Sequence, residues 1–476
     1  MIASMSHVQH EAALERESPR RALRSLARIL AGLLALVACA FVAVLLSGTV
    51  RRSAALERVR ASGAPVYPSD LRFAPSPNAA SFYAWVQREA DVEESFGAFE
   101  SVLLPECTDF VAALNDTSSP DLALREDLQF ATADPLRAYR LTDCQRAVHR
   151  AWLAESASTR AWAASLEPGA RPDWQVLLSS DFTPDTALAR SGVGVTHRAA
   201  EALTVAMLNE AWNGNSEEAV RLCARVFELA VGYREAPNML FFSALGRQES
   251  MATSALQALV LALPPDVDLQ RIEAQFDAVS AVERFRFALE GQRAQDNALF
   301  RDIADGVDPF LVETWTERLD ALTVRWASGW LQWAELEQDE RQLALLGQRY
   351  ARAKPLLEQL DAEGDAWLLP SPARSSAELH ARFLAQLETT RVLRQALLIA
   401  YRDGPDAARA WTRQQPDPFG TETLRERIDD DGVLTVWSVG KNGSDDGAPL
   451  PPWTIDDWGT NMPPDHAIRF RPRRVR

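Results

Sequence analysis

From Ile29 to Val50 the chain reads ILAGLLALVACAFVAVLLSGTV, with no charged side chain. As a helix rising about 1.5 Å per residue this run is about 33 Å long, enough for a hydrocarbon core of roughly 30 Å. Arg20, Arg21, Arg24 and Arg28 precede it, and Arg51, Arg52, Arg58 and Arg60 follow it. The pattern predicts one transmembrane helix at 29–50, an uncleaved signal-anchor. The basic tail 1–28 is expected on the cytoplasmic side of an inner (cytoplasmic) membrane, with the long acidic remainder extracytoplasmic, as in a bacterial periplasm.

A cleaved signal peptide has a shorter apolar core, of about 7–15 residues. Leu36-Val37-Ala38-Cys39 resembles the lipobox of bacterial lipoproteins, which makes lipidation of Cys39 the alternative form of attachment. The ten positions after Cys39 stay uncharged and mostly apolar, whereas a lipoprotein turns polar there.

Beyond the span, Pro65, Pro68, Pro75 and Pro77 predict a stiff spacer over 51–80, because proline fixes φ and pushes its neighbour toward extended geometry. Helical periodicity then dominates. Ala200, Leu203, Met207 and Ala211 share one face of a helix over 196–212. After an Asn213-Gly214 turn, Ala219, Cys223, Val226, Phe227 and Ala230 share one face of a second helix. Asn215 with Glu218 three residues on predicts a capping box at its start. The two helices form a hairpin resembling a single tetratricopeptide-type pair, but no second copy follows at about 34 residues, so no array is expected. A third helix covers 238–263. A helix capped by Asp268 is expected to run to about Ile303, a next from about Asp308, and another from Ser376 to Tyr401. Trp326, Trp330 and Trp333 fall on one helical stripe, which reads as core packing, with a ligand platform or an interfacial membrane contact as alternatives.

At Gln415 the pattern changes. Pro416 and Pro418 break the helix, and 424–428 and 433–439 predict two strands across Asp429–Gly432. Residues 467–470 add a short last strand. The fold class is therefore mainly α: an N-terminal transmembrane helix, an irregular all-helical body and a small C-terminal antiparallel β piece. The expected segments are 1–28, 29–50, 51–80, a helical lobe at 81–265, a second helical block at 266–414 and an Asp-rich ending at 415–476.

A net charge of −16 argues against nucleic acid as a partner, since phosphate binding needs a basic face. Lysine occurs only at Lys354 and Lys441, so the positive charge is almost all arginine. Of the cysteines outside the span, Cys107 and Cys144 stand in loop-like contexts and form the candidate disulfide of an oxidising compartment, whereas Cys223 lies on an apolar helical face.

The ending carries the most specific pattern. Asp417-Pro418-Phe419-Gly420, then Leu434 to Gly443, then Asp445-Asp446-Gly447, resembles the C-terminal part of the type II secretion major pseudopilin. About 80–90 residues are covered. The anchor lacks that family's prepilin cleavage signal and early glutamate, so the resemblance describes the ending alone. It implies a calcium site in the acidic loop, with Asn442, Ser444, Asp445, Asp446, Asp456 and Asp457 as candidate ligands, because calcium takes 6–8 oxygens from carboxylates and carbonyls. A solvated acidic turn is the alternative. The whole layout also resembles a group of uncharacterised bacterial membrane-anchored proteins, which brings no activity with it.

The histidines, His7, His10, His149, His197, His380 and His466, form no paired zinc spacing. There is no GxSxG elbow and no Walker A. Ser438-Val439-Gly440-Lys441 matches SxxK at a strand end, not at the helix start that chemistry needs. No catalytic residue is named. The expected function is a membrane-anchored extracytoplasmic helical scaffold or interaction protein with a protein partner in the cell envelope. The alternatives are an extracytoplasmic enzyme whose site is dispersed in sequence, and an accessory component of a secretion or pilus system.

Overall fold

In a computed structural model of the full chain, the structure describes residues 3–73, 76, 78–89, 157–179, 192–264, 266–305, 315–365, 377–430, 432–445, 447 and 466–470. They divide into two compact units, one comprising 1–66 and 296–337, the other 67–295 and 338–476.

The first unit is built on helix α1, Ala3–Ala61. The helix does not stop at Val50, as the expected spacer requires. Residues 51–61 contain no proline or glycine and are rich in arginine and alanine, both good helix formers. Its stop is Gly63, at φ 78°, whose amide bonds the Arg60 carbonyl at 3.0 Å. That left-handed position favours glycine, which has no Cβ to clash. The prolines come only afterwards, with a 3₁₀ turn at Pro68–Asp70. On α1, Gly48, Ala55 and Val59 are buried and Arg52 half-buried, a four-three-four spacing that makes one seam. The rest of the unit comes from residues 296–305 of α9 (Ala281–Asp305) and 315–337 of α10 (Trp315–Ala344). Its interior carries a polar relay: Gln332 Nε2 donates to Asn297 Oδ1 at 2.7 Å, and Asn297 Nδ2 donates to the Val66 carbonyl at 3.0 Å.

The second unit holds α2 (Ala79–Gln87), α3 (Ala157–Ala164), α4 (Trp174–Ser179), α5 (Val193–Trp212), α6 (Ser216–Val231), α7 (Met239–Ala262), α8 (Gln270–Glu273), α11 (Tyr350–Asp365), α12 (Ala377–Asp403) and α13 (Pro405–Thr412). Helices α5 and α6 form the expected hairpin, and every residue assigned to their apolar faces is buried. The capping box at Asn215 does not form. Asn215 Nδ2 instead donates to Glu210 Oε2 at 2.6 Å, and Glu218 pairs with Arg221. Helix α7 is capped as its sequence suggests, Asn238 Oδ1 accepting the Phe241 amide at 3.1 Å.

The single helix expected from Asp268 is in fact two. Asp268 Oδ1 caps only the short α8, through the Gln270 amide at 2.9 Å. A capping box starts α9 afresh: Ser280 Oγ accepts the Glu283 amide, and Glu283 Oε2 accepts the Ser280 amide, both at 3.2 Å. Helix α11, with Pro355 inside it, and α13, with Pro405 in its first turn, were not expected.

The sheet is antiparallel in the order β1 (Arg425–Ile428), β2 (Leu434–Ser438), β3 (His466–Phe470). Register pairs Arg425 with Trp437 and Ile428 with Leu434, then Leu434 with Phe470 and Ser438 with His466. Leu434, Val436, Ile468 and Phe470 join one apolar core with Leu393 and Leu397 of α12 and Ala408 of α13. The strands thus complete the helical core.

Candidate functional site

Three places concentrate the chemistry. The first is the apolar half of α1. It is long and apolar enough to cross a membrane, and every residue from Leu26 to Val44 is exposed. Leu34, Leu36 and Val37 are 68%, 68% and 63% exposed, and Cys39 lies on this surface. Leaving so much contiguous apolar area in water is costly, at about 25 cal/mol per Å².

One-sided cover begins at the far end of the run. Trp330 of α10 lies on Gly48, where a Cβ would stand 2.7 Å from its Nε1 and 2.9 Å from its Cγ. Its Nε1 donates to the Val44 carbonyl at 2.6 Å. A Cβ on Gly329 would in turn lie 3.3 Å from the Gly48 carbonyl carbon, a tight contact, so the approach requires glycine at 48 and is eased by glycine at 329. Trp330 and Trp333 stand edge to face, with centroids 5.4 Å apart, and the Arg51 guanidinium lies 4.8 Å from each ring centre. Trp333 Nε1 donates to Glu337 Oε1 at 3.2 Å, and the same oxygen pairs with Arg58. Both rings are half-buried, so the stripe is not a fully closed core.

The second place is the C-terminal corner. Asp417 is fully buried. Its Oδ1 accepts Ser438 Oγ at 2.6 Å and the Phe419 amide at 3.0 Å, and its Oδ2 accepts the Val439 amide at 3.0 Å. Phe419, also fully buried, packs edge to face on Tyr350, and the amides of Tyr350 and Ala351 donate to the Pro418 and Phe419 carbonyls. The first turn of α11, whose amides lack partners inside the helix, is thereby satisfied by the corner.

Of the candidate calcium ligands, Asn442, Ser444 and Asp445 are described and exposed, whereas Asp446, Asp456 and Asp457 lie outside the described residues. Asn442 Oδ1 accepts the Ser444 amide at 3.0 Å. Asp445 Oδ1 accepts the Trp437 indole at 2.9 Å and the Gly447 amide at 3.1 Å, and its Oδ2 stands 3.4 Å from Arg425. Partial burial pushes its carboxyl up, but these donors together hold it below the ordinary aspartate range. Among the described residues no group of three or more His, Cys, Asp or Glu is placed to hold a metal ion. The candidate pair Cys107 and Cys144 also lies outside the described residues. Cys223 is fully buried, and burial pushes its thiol far up, so it is protonated and unreactive at neutral pH.

The third place was not anticipated. Glu249 of α7, 1% exposed at its side chain, accepts from Arg391 at 2.8 and 3.1 Å and from Arg394 at 3.2 Å, both on α12. Asp277, in the break between α8 and α9, accepts from Arg284 at 2.9 and 3.0 Å and from Arg391 at 3.1 Å, with Arg234 3.9 Å away. Burial raises the Glu249 carboxyl, but the two guanidiniums on it hold it below the ordinary range. Arg394 also lies over Phe276, 4.1 Å from the ring centre. The sequence signal was there: a glutamate inside the apolar run of α7, and two arginines three apart in an apolar stretch of α12. The cluster ties α7, α12 and the α8–α9 break together.

The chain matches no known protein family, and neither a curated protein nor a solved structure is similar to it.

Proposed function

We propose that the protein is a single-pass anchored scaffold of the inner membrane, its N-terminus cytoplasmic and its helical body extracytoplasmic, where it engages a protein partner of the cell envelope. The observation that supports the reading is the exposed apolar run of α1, continuous in one helix with the part that packs against α10. In the second unit the buried carboxylates Glu249 and Asp277 are each paired with arginines of the same unit, as in a rigid scaffold. In the test, the full chain stays in the membrane pellet after alkaline carbonate, and external protease digests the body in spheroplasts but not in intact cells. Recovery of the chain in the carbonate supernatant overturns the anchor, and protection in spheroplasts overturns the orientation. Photocrosslinkers on the body trap a discrete heteromeric species; crosslinks to itself and to lipid alone overturn the partner.

A role beside secretion or pilus machinery is the second reading, supported by the buried Asp417 corner leading into the hairpin. Absence of such machinery from the crosslinked material counts against it.

A further inference from the structure

We propose that α10 is a membrane-interface element, which seats Trp330 and Trp333 in the headgroup layer of a phospholipid bilayer and so fixes how deep α1 sits. This rests on the reading of α1 as a membrane anchor.

The contacts of α10 follow α1 in order. Trp330 meets Val44 and Gly48, Trp333 meets Arg51, and Glu337 meets Arg58. Over this stretch α10 therefore changes from aromatic to acidic where α1 changes from apolar to charged. The uncharged run of α1 begins at Ile29, and a hydrocarbon core of roughly 30 Å measured from there ends near Gly48, about 20 residues on. That puts the Trp330 indole at the end of the core, where tryptophan concentrates because its body is apolar and its N–H polar. Arg51, exposed and held on both rings, stands at the level of lipid phosphates.

The sequence of α10 separates an interfacial helix from a second span. Trp315, Leu319, Leu322, Trp326, Trp330 and Trp333 recur at spacings of four, three, four, four and three, while Glu317 and Asp320 fall off that stripe and Arg318 and Arg325 flank it. So many charges exclude a second span.

The test uses the full chain in phosphatidylcholine vesicles containing a lipid with a nitroxide on its headgroup. Of 14 tryptophans, two are replaced in a Trp330→Phe/Trp333→Phe variant. The wild type is expected to lose more emission to the quencher, by roughly a seventh of the total signal. Equal quenching, with both proteins retained after carbonate, overturns this inference and leaves the anchor standing; release into the supernatant overturns the anchor itself. Should the double variant lose helicity, Trp333→Phe leaves the Trp330 contact with Gly48 in place. In 5-fluorotryptophan protein, the fluorine signal missing from that variant is expected to be one that a headgroup-chelated gadolinium lipid broadens, and a sharp signal overturns the proposal.

Discussion

Among the described residues two arginines sit on pairs of aromatic rings, and their surroundings give them different weights. Arg394 lies over Phe276 and near Phe227, with centres at 4.1 and 5.5 Å, is 6% exposed at its side chain and shares Glu249 with Arg391. Arg51 lies 4.8 Å from the centres of both Trp330 and Trp333 and is exposed. The stacking is similar and the solvent is not. A charge without water must be paired, and removing its partner leaves it stranded at low dielectric. A charge in water loses little when one contact goes. Burial, more than the contact itself, sets what each arginine contributes.

The largest effect should follow from Glu249→Ala, which leaves Arg391 and Arg394 facing each other without their shared carboxylate. A loss of about 3–5 kcal/mol is expected in the unfolding free energy from denaturant titration of the full chain in mild detergent. Arg394→Leu should cost less, because Glu249 keeps its two bonds from Arg391. If Glu249→Ala costs under about 1 kcal/mol, the cluster behaves like a surface pair and the contrast with Arg51 collapses.

His380 of α12 extends the comparison to a buried group kept neutral. It is 4% exposed, and burial pushes its imidazole down to about 4, against an upward pull from Asp361, which caps α12 through the Ala377 and Glu378 amides. The folded pKa lies below the unfolded 6.5, so the unfolded chain binds the extra proton. Stability is complete above pH 6.5 and falls as the pH drops toward 4, by up to roughly 3 kcal/mol. His380→Phe should flatten the pH 4–6.5 part of the stability profile relative to wild type. An unchanged slope would show that the imidazole reaches water.

How far this contrast was legible beforehand differs between the two units. The apolar run of α1, the buried faces of α5 and α6, and the hairpin at 424–439 could all be read from periodicity and turn chemistry, which act over a few residues. The Glu249 cluster could not, because it joins α12 to two segments more than a hundred residues earlier in the chain, and one sequence does not say which arginine meets which carboxylate. The break before α9 was missed for a local reason. Ser280 with Glu283 is a capping box, but it lies inside a stretch whose apolar spacing continues through it. At Asn215 the same signature misled, since Glu210 on the previous helix takes the asparagine side chain first. The C-terminal corner was recognised as a pattern, yet its physical role, with Asp417 filled by Ser438 and two amides, emerges only when the hairpin folds back on it.

At the exposed site, geometry should outweigh charge. Gly48→Leu places a side chain where the Trp330 ring lies, and overpacking of this kind costs about 1–3 kcal/mol. Trp330 is expected to leave α1, which a red shift of tryptophan emission in detergent reports. Val50→Leu, at an exposed position of the same helix, should leave both stability and emission unchanged. If the two variants behave alike, the close approach of α1 and α10 is not what holds Trp330.

Arg51→Leu should have the smallest effect. An exposed cation on an aromatic face contributes about 0.5–1 kcal/mol, and the guanidinium of Arg51 is solvated whether or not the rings are present. Trp330 keeps its bond to the Val44 carbonyl and Trp333 its bond to Glu337, so neither ring is released. The expected loss is therefore below about 1 kcal/mol in the same denaturant assay, and Arg51→Lys should be smaller still, since it retains the positive charge. A loss of 3 kcal/mol or more for Arg51→Leu would equal that expected of Glu249→Ala. Arg51 would then be a buried, paired charge, shielded by a neighbour in the membrane, and the difference between the two arginines would lie in their partners, not in the solvent.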